Sequence, residues 1–309
     1  VTHVNYAFAE VYVVNGVYKG FKLEGKESRF EQVVNLKKEY PSLKILISFT
    51  NGVANSDNSK DGGFSAIAGN DIYRKQFSAD CLAFIQKWGI DGIDMDWEFP
   101  GMSWSGAAFD PVNDVTNYTL LMKQLRTTLG SNYLLTFAGY VMDKQKTKNG
   151  YEFIDIASVM PYVDFVNIMT YDMDAAPHYQ SALSDVSSYC DCERAVKAYT
   201  NAGISYDKLV LGIPFYGRHL FSDKAIYYKE IADLDSTVYK IDNWSSLAQV
   251  PYVTKNGALY YSYDNARSIG IKGNWITGLG MKGMFYWDCD GDDAFETLTK
   301  AVWNAVMKK

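Results

Sequence analysis

The sequence predicts an α/β fold in which parallel strands form a sheet of the (β/α)₈ barrel type. Short apolar segments of strand length alternate along the chain with longer segments that have the spacing of a helix. This alternation is typical of parallel strands joined by right-handed crossovers. Seven strands are predicted, whereas a closed barrel has eight. They are centred near Val4, Ile45, Ile93, Leu135, Val166, Leu211 and Phe285.

The predicted elements follow one another in a regular order. Strands are predicted over residues 3–9, 44–49, 133–140, 163–172, 208–216 and 283–288, besides an acidic strand that ends near Glu98. Helices are predicted over residues 30–40, 73–88, 115–129, 154–160 and 192–202, and from Phe295 onward. Pro41 and Gly203 are stop signals after two of these helices. In the strand over residues 163–172, Met169 and Tyr171 share one face because side chains alternate.

The segment between Arg218 and Tyr261 is too long for an ordinary loop between a strand and a helix. An Asn256-Gly257 pair, followed by an alternating run that starts at Leu259, predicts a β-hairpin. We therefore expect a small insertion between the predicted strands near Leu211 and Phe285, with an irregular surface excursion as the alternative. The predicted boundaries are residues 1–218 and 262–309 for the main domain and residues 219–261 for the insertion.

Composition argues against some classes of protein. The chain has 309 residues, of which 48% are hydrophobic and 21% charged, and this suits one large globular domain with a small appendage. The formal charge of −6 argues against nucleic-acid binding. No apolar run is long enough for a membrane span. The 24 Tyr residues are typical of surfaces that stack on sugar rings, although many of them will pack in the core.

The four cysteines do not form a metal-binding pattern. Cys190 and Cys192 are separated by one residue, which is not the spacing of a zinc knuckle, and the chain has only 3 His. We expect free thiols at both positions and at Cys81 and Cys289. We expect no signal peptide within this sequence, since it begins in a predicted strand.

One predicted strand carries a row of acids. Asp94, Asp96 and Glu98 alternate with three large apolar residues. Because the side chains of a strand point alternately to its two faces, the three carboxyl groups share one face. Neighbouring carboxyl-bearing positions lie about 6.6 Å apart along the strand. This separation allows hydrogen bonds and coupled protonation.

Such a row of acids cannot stay fully ionised when it is buried. Desolvation and repulsion raise at least one pKa, which leaves a protonated acid beside an ionised partner. Cleavage of a glycosidic bond needs this arrangement, since the departing sugar oxygen must receive a proton. A solvated acidic loop or a calcium site is the alternative interpretation. The spacing is not that of an EF-hand, however, and the apolar residues alternate too regularly for a solvated turn.

The pattern Asp91-x-x-Asp94-x-Asp96-x-Glu98 resembles the signature of glycoside hydrolase family 18, the chitinases. The segment that leads into it, from Phe64 onward, resembles the family as well. The resemblance implies a (β/α)₈ barrel with a small α+β insertion, as in chitinases A and B. The first strand and helix of that fold would precede this chain.

The resemblance also implies catalytic roles. Glu98 would be the general acid that protonates the glycosidic oxygen, and later the base for water. Asp96 would hold the N–H of the substrate's acetamido group and share a proton with its neighbours, while Asp94 would be the buried reservoir of that charge. Tyr171 would donate to the acetamido oxygen. That oxygen attacks the anomeric carbon, so cleavage proceeds with retention through an oxazolinium ion.

A set of substrate-binding residues follows from the same resemblance. Trp287 would stack on the sugar ring at the cleavage point, and Asp172 would bind the sugar beside Tyr171. Packing alone would also explain aromatic residues at strand ends, so these roles depend on the resemblance. The set is Asp172, Met169, Trp287, Phe8 and Tyr216.

No metal or cofactor is expected. The acidic run over residues 288–293 could be mistaken for a calcium loop, but its Gly is misplaced for an EF-hand. A helix is predicted directly after this run, and a helix N-terminus favours acids through capping and dipole alignment.

The function that this reasoning predicts is retaining, endo-acting hydrolysis of β-1,4 bonds in chitin or chito-oligosaccharides. The alternatives are an endo-β-N-acetylglucosaminidase acting on N-glycans and a non-catalytic chitin-binding lectin on the same fold. Such lectins usually lack the acid or its Asp partner, whereas Asp94, Asp96 and Glu98 are all present here. Because the polymer lies outside cells, we expect the protein to be secreted, periplasmic or at the cell surface. We also expect it to be a monomer.

Overall fold

The computed structural model describes residues 1–50, 63–103, 108–141 and 153–307. The chain forms two compact units. The first unit comprises Val1–Ala138 and Gln145–Val166, and the second comprises Gly139–Lys144 and Asn167–Lys309.

The first unit alternates strands with helices, as predicted. Its strands lie in the order β2-β1-β3-β4-β5-β6. Three neighbouring pairs, β1 with β3, β3 with β4 and β4 with β5, are parallel, whereas β2 is antiparallel to β1. The elements are β1 (His3–Val14), β2 (Val17–Leu23), α1 (Glu27–Glu39), β3 (Lys44–Thr50), α2 (Phe64–Gly69), α3 (Asp71–Trp88), β4 (Gly92–Asp96), α4 (Asp114–Leu129), β5 (Leu134–Gly139), α5 (Ile156–Val159) and β6 (Phe165–Ile168).

The hairpin of β1 and β2 extends well beyond the strand predicted over residues 3–9. Val14 pairs with Val17 across a two-residue turn. The turn residues Asn15 and Gly16 have φ angles of 50° and 75°, as a two-residue turn that follows the right-handed twist of the strands requires. An Asn-Gly pair between apolar runs is a recognised hairpin signal, so the sequence does contain the information for β2.

Aromatic rings fill the space between the strands and helices of the first unit. The ring of Phe49 on β3 meets those of Phe21 on β2 and Phe77 on α3 edge-on, with centroids 4.9 Å and 5.1 Å away. Phe30 on α1 meets Trp88, the last residue of α3, at 5.1 Å. Edge-to-face pairs of this kind add stability beyond the apolar area that they bury. They hold α1 and α3 against the strands that precede β4.

In the second unit β7 and β13 are neighbouring strands of a sheet. β7 and β13 are parallel. A separate antiparallel sheet has the order β10-β11-β12, and β8 pairs with β9. The elements are α6 (Cys192–Asn201), β7 (Leu209–Pro214), β8 (Tyr216–Gly217), β9 (Ile226–Tyr227), α7 (Tyr228–Ile231), β10 (Tyr239–Ser245), β11 (Val250–Lys255), β12 (Ala258–Ser262), α8 (Ala266–Leu279), β13 (Gly283–Trp287) and α9 (Thr297–Met307).

The predicted hairpin at Asn256-Gly257 is present. These two residues join β11 to β12 and have φ angles of 52° and 81°. Strand β10 adds a third strand that the sequence did not indicate. Val253 of this small sheet forms a buried hydrophobic cluster with Ile231 and Tyr263. The boundaries of the insertion, residues 219–261, stay a prediction.

The strand predicted over residues 163–172 is shorter than expected. β6 ends at Ile168, because the chain then leaves the regular ladder. The Thr170 hydroxyl donates to the carbonyl oxygen of Gly212 at 2.7 Å and accepts from its N–H at 2.9 Å. Asp172 has a φ of 52°, outside the strand region. The prediction that Met169 and Tyr171 share a strand face is therefore wrong.

Helix α8 was not predicted, although it is among the longer helices described. Its sequence contains Gly270, Gly273 and Gly278, which lower the helix propensity. The start is nevertheless well defined, since the Asn265 side chain accepts hydrogen bonds from the N–H groups of Arg267 and Ser268. Gly273 allows close packing, because a Cβ there would lie 2.4 Å from the Cβ of Ala305 on α9. Packing against α9 thus overrides the weak propensity.

No helix among the described residues is both long and apolar enough to cross a membrane. None of the four cysteines, all of which lie in the described part of the chain, forms a disulfide bond. Cys81, Cys190 and Cys192 are buried, whereas Cys289 is exposed.

A fully buried ion pair stabilises the second unit. Lys272 on α8 contacts both carboxylate oxygens of Asp264 at 2.8 Å, and neither side chain is exposed. Asp264 also accepts hydrogen bonds from the hydroxyls of Ser181 and Ser268, each at 2.6 Å. The charge is thus compensated by a cation and two further donors, as a buried carboxylate requires.

Replacing Lys272 with Met should lower the free energy of unfolding by about 3–5 kcal/mol, because it leaves the buried Asp264 charge without its cation. Urea unfolding at neutral pH measures this. Lys300→Met is the control, since Lys300 is exposed and pairs with Glu296 one turn away; its cost should stay below about 1 kcal/mol. Equal costs for the two variants would contradict the prediction.

Candidate active site

Strand β4 has the predicted alternation at Asp94 and Asp96, but it ends at Asp96, so the prediction that Glu98 lies on the same strand is wrong. Trp97, just past its end, is buried against helices: its ring stacks on Phe64 of α2 at 5.4 Å and meets Tyr118 of α4 edge-on at 5.7 Å. The side chains of Asp94 and Asp96 therefore point to the opposite face of the strand. Both carboxyl groups are nevertheless buried, with 3% and 8% of their surface exposed.

Asp94 is held by hydroxyl groups from the strands on either side. Its Oδ2 accepts from Ser48 on β3 at 2.8 Å, and its Oδ1 accepts from Thr136 on β5 at 2.5 Å. The sheet register sets these contacts, since Ser48 pairs with Asp94 and Asp94 pairs with Thr136. Two donors to a carboxylate favour its ionised form. Both oxygens of Asp94 thus accept hydrogen bonds from neutral hydroxyl groups.

Asp96 and Glu98 form a hydrogen-bonded pair of carboxyl groups. Burial, followed by the charge and hydrogen bond of Glu98 and then the charge of Asp94, raises the pKa of Asp96 well above its ordinary value. Glu98 lies two residues beyond the end of β4 and is half-buried. A proton shared by the two groups removes the repulsion between them. The predicted coexistence of a protonated acid and an ionised partner is therefore consistent with this geometry.

One oxygen of Asp96 lacks a donor. Its Oδ1 is buried and has no hydrogen-bond partner among the described residues. A buried acceptor without a donor costs about 1–3 kcal/mol. The position can therefore gain free energy by accepting a hydrogen bond from a ligand N–H or O–H.

Asp91 lies immediately before β4 and has a different environment. Its carboxylate contacts Lys37 at 2.5 Å and Lys44 at 3.1 Å, and it accepts from the N–H of Ile45 at 2.9 Å. Burial alone would raise the pKa of Asp91, but the hydrogen bonds from Lys37, Ile45 and Lys44 lower it below its ordinary value. Asp91 therefore ties the start of β4 to β3 and α1.

Phe8 lies at an irregularity of β1. Ala7 pairs with Ser48 and Ala9 pairs with Phe49, so Phe8 is an extra residue opposite β3. Such a bulge re-aims a side chain. Phe8 is half-buried. Its predicted role as a pocket residue stays a prediction.

In the second unit, Tyr171 follows the end of β6 and packs among aromatic rings. Its ring meets Tyr216 edge-on at 6.2 Å and Phe285 at 5.9 Å. Burial, more than any other cause, raises the pKa of Tyr216 well above its ordinary value. The structure thus brings together the predicted residues Tyr171 and Tyr216 and fixes the plane of the Tyr171 ring.

Asp172 is held by an arginine. Two guanidinium nitrogens of Arg218 contact the two carboxylate oxygens, one of them at 3.0 Å. Burial opposes the charge of Arg218, but the hydrogen bond and charge of Asp172 outweigh it and raise the pKa of Arg218. The bidentate geometry fixes the orientation of Asp172.

Met169 and Trp287 occupy different environments at the ends of their strands. Met169 is buried, and its N–H donates to the carbonyl oxygen of Gly139 at 2.8 Å. Trp287 is the last residue of β13, pairs with Pro214 and remains 37% exposed. A Trp that only filled a core would be buried. The exposed part of Trp287 is therefore available for stacking on a ligand.

A family model described as "Glycosyl hydrolases family 18" matches residues 1–292. The chain belongs to this family. Membership agrees with the mostly parallel sheet and confirms the predicted α/β fold of the (β/α)₈ barrel type.

Relatives within family 18 extend the comparison. The chain is 28% identical to Chitinase A1 of Niallia circulans over 306 residues, which cover 84% of this chain and 42% of that protein. It is 27% identical to Chitinase 63 of Streptomyces plicatus over 307 residues, 89% of this chain and 47% of that protein. The chain thus spans less than half the length of these curated relatives.

Solved structures of family 18 share the fold. One is a family 18 N-acetylglucosaminidase from Paenibacillus barengoltzii, with a TM-score of 0.81 and 24% sequence identity. The similarity covers 99% of this chain and 93% of that one. At this identity the likeness concerns the fold alone.

Three residues that the sequence reasoning missed support the predicted site. Ser48 and Thr136 are polar side chains inside otherwise apolar strands, and this was a readable signal. Arg218 follows a Pro-Phe-Tyr-Gly segment, which gives no sign of its partner. Ser48 and Thr136 act on Asp94 of the family signature, and Arg218 acts on Asp172, which the family resemblance also predicted.

The acidic run over residues 288–293 caps a helix, as expected. Asp292 accepts from the N–H groups of Leu298 and Thr299 at 3.0 Å and 2.8 Å. Asp293 accepts from both the N–H and the hydroxyl of Thr297. The described part of the chain contains no cluster of three or more His, Cys, Asp or Glu side chains suited to a metal ion.

Asp96→Asn should change how stability depends on pH. The folded-state pKa of Asp96 is raised above its ordinary value of 3.8. Its contribution to stability is therefore fully present below that value and is lost as the pH rises through the raised pKa. Asn has the same shape and cannot ionise. Urea unfolding at a series of pH values should show the variant gaining stability, relative to the original chain, as the pH rises towards neutral.

Asp91→Asn is the matched control, because the pKa of Asp91 is lowered. The stability that Asp91 contributes is present above its ordinary pKa of 3.8 and is lost as the pH falls through the lowered value. This variant should therefore be most destabilised near neutral pH. If the stability of both variants changed with pH in the same direction, the opposite pKa shifts of Asp96 and Asp91 would be contradicted.

Proposed function

We propose that this chain hydrolyses β-1,4 bonds in chitin or chito-oligosaccharides with retention of configuration at the anomeric carbon. The observation that carries the proposal is the buried Asp96, which shares a hydrogen bond with Glu98 and has an Oδ1 without a donor among the described residues. The acetamido N–H of N-acetylglucosamine would supply that donor. Both curated relatives described above are named chitinases, which agrees with this substrate class.

Glu98 is the general acid in this proposal. Its position beyond the end of β4 and its partial exposure suit contact with a substrate, whereas Asp94 and Asp96 are more deeply buried. Glu98 gives its proton to the glycosidic oxygen as the bond to the anomeric carbon breaks, and it later accepts a proton from the attacking water. The charge of Asp94, which accepts hydrogen bonds from two hydroxyls, raises the pKa of Asp96 and so favours a proton on the Asp96–Glu98 pair.

The substrate supplies its own nucleophile. The carbonyl oxygen of the 2-acetamido group attacks the anomeric carbon, and the resulting oxazolinium ion is opened by water on the same face that the leaving group vacated. No second carboxylate nucleophile is needed. We assign the donor to the acetamido oxygen to the Tyr171 hydroxyl, because the packing of its ring against Tyr216 and Phe285 restricts its orientation.

The remaining assignments concern binding. Asp172, oriented by Arg218, is proposed to bind the sugar beside Tyr171, and the exposed part of Trp287 to stack on a sugar ring. Met169, Phe8 and Tyr216 are proposed to line the subsite. An extracellular or cell-surface location is part of the proposal, because the polymer is outside cells. Endo action and a monomeric state complete it.

Glu98→Gln should reduce kcat about 10²- to 10⁴-fold, since Gln cannot transfer the proton. Hydrolysis of labelled chitotriose measures the loss, and titration with the same oligosaccharide should show that binding persists. Asp91→Asn is the control, because Asp91 is tied to Lys37 and Lys44 and should leave kcat within a few-fold. The anomer first released, followed by NMR, should have the β configuration.

Other outcomes would overturn the proposal in recognisable ways. Cleavage of a high-mannose glycoprotein but not of chitotriose would indicate an N-glycan enzyme. Binding of chito-oligosaccharides without hydrolysis would indicate a lectin. Full activity of Glu98→Gln would remove Glu98 from the role of general acid.

A further inference from the structure

Gly212 lies in the middle of β7, where a glycine weakens a strand. Its φ is not positive, so the backbone conformation does not require glycine. The limited space around Gly212 does require it. A Cβ on Gly212 would lie 2.6 Å from the carbonyl oxygen of Ile168, 2.8 Å from Cε1 of Tyr171 and 2.9 Å from Cζ of Phe285. All three separations are shorter than real Cβ contacts, so any side chain here displaces its neighbours.

The ring of Tyr171 therefore rests directly on the backbone of β7. Phe285 on the neighbouring strand β13 pairs with Gly212 in the sheet register and meets the same ring at 5.9 Å. Tyr216 limits the ring from another side at 6.2 Å. The absence of a side chain at Gly212 thus determines how closely the Tyr171 ring packs on β7.

Gly212 also holds the residue before Tyr171. The Thr170 hydroxyl donates to the Gly212 carbonyl oxygen at 2.7 Å and accepts from the Gly212 N–H at 2.9 Å. Thr170 is fully buried. These two hydrogen bonds replace the strand ladder at the point where β6 has ended, and they fix the backbone from which the Tyr171 side chain projects.

We infer that Gly212 is a positioning residue for Tyr171: its bare backbone seats the ring, and its peptide groups anchor Thr170. The inference rests on the role proposed above for Tyr171. A hydroxyl that must donate to a developing charge tolerates little displacement, and a shift of about 1 Å can cost about 10²-fold in rate. A methyl group at position 212 would change the position of the Tyr171 hydroxyl directly, because it would displace the edge of the Tyr171 ring.

The test compares Gly212→Ala with Gly273→Ala. Both glycines lie in the second unit, and a Cβ clashes at both sites, but at Gly273 it meets Ala305 on α9. Unfolding in urea measures stability, and hydrolysis of labelled chitotriose gives kcat and KM. Gly212→Ala should lose about 10²-fold in kcat with a smaller change in KM, whereas Gly273→Ala should keep the kcat of the original chain in its folded fraction. Unchanged kcat in Gly212→Ala would overturn the inference.

Tyr171→Phe completes a double-mutant cycle. If Gly212 acts through Tyr171, adding Gly212→Ala to Tyr171→Phe should lower kcat no further. A full additional loss in the double variant would mean that Gly212 acts elsewhere, and it would overturn the inference while leaving Tyr171 in its proposed role. If Tyr171→Phe itself is as active as the original chain, the proposed function of Tyr171 fails instead. In that case a crystal structure of Gly212→Ala still decides whether the ring is seated by Gly212, because an unmoved ring contradicts the inference.

Thr170 gives a second route should Gly212→Ala fail to fold. Thr170→Val has the same shape and removes both hydrogen bonds to Gly212, whereas Thr170→Ser keeps the hydroxyl. A larger loss of kcat in the Val variant than in the Ser variant, at similar KM, supports anchoring by the Gly212 peptide groups. Equal kcat values for the two variants would contradict it.

Discussion

The hydrogen bond between the carboxyl groups of Asp96 and Glu98 is the interaction on which the site in the first unit depends. Burial is the largest cause of the raised pKa of Asp96, and that burial follows from the packing of the other face of β4. Trp97 packs against α2 and α4, while neighbouring strands cover the acids. The packing that stabilises the fold therefore also sets the charge state of the site.

The contrast between Asp94 and Asp91 shows how the first unit controls charge. Asp91 is paired with two lysines, which lower its pKa and neutralise its effect on neighbours. Asp94 receives hydroxyl donors from Ser48 and Thr136, which satisfy both oxygens without adding positive charge. Its negative charge still raises the pKa of Asp96. A lysine in place of Ser48 would add a positive charge and cancel the effect of Asp94 on the pKa of Asp96. Hydroxyl donors therefore suit a site in which the Asp96–Glu98 pair must keep a proton.

Much of this architecture was predictable because its causes are local. The strands near the seven predicted centres were recognised from apolar runs between helical segments, and the acidic row from the alternation around Asp94 and Asp96. Residues 163–172 were misjudged because Thr170 bonds to Gly212, a contact between segments far apart in sequence. Helix α8 was missed because packing against α9, and not propensity, stabilises it. The partners of Asp94 depend on register between strands, which no single segment encodes.

Gly212 marks the limit of sequence reasoning most clearly. A glycine within a strand can indicate a bulge, a bend or the close approach of another backbone, and its sequence does not say which. At Gly212 the register with β13 is regular and φ is not positive, so close approach is the cause. Its importance comes from three atoms on separate segments, those of Ile168, Tyr171 and Phe285, which converge where a Cβ would lie. A sequence lists the side chains that are present, whereas this position matters for the one that is absent. The precision with which Tyr171 is held therefore comes from the sheet backbone, because a backbone cannot change rotamer as a side chain can.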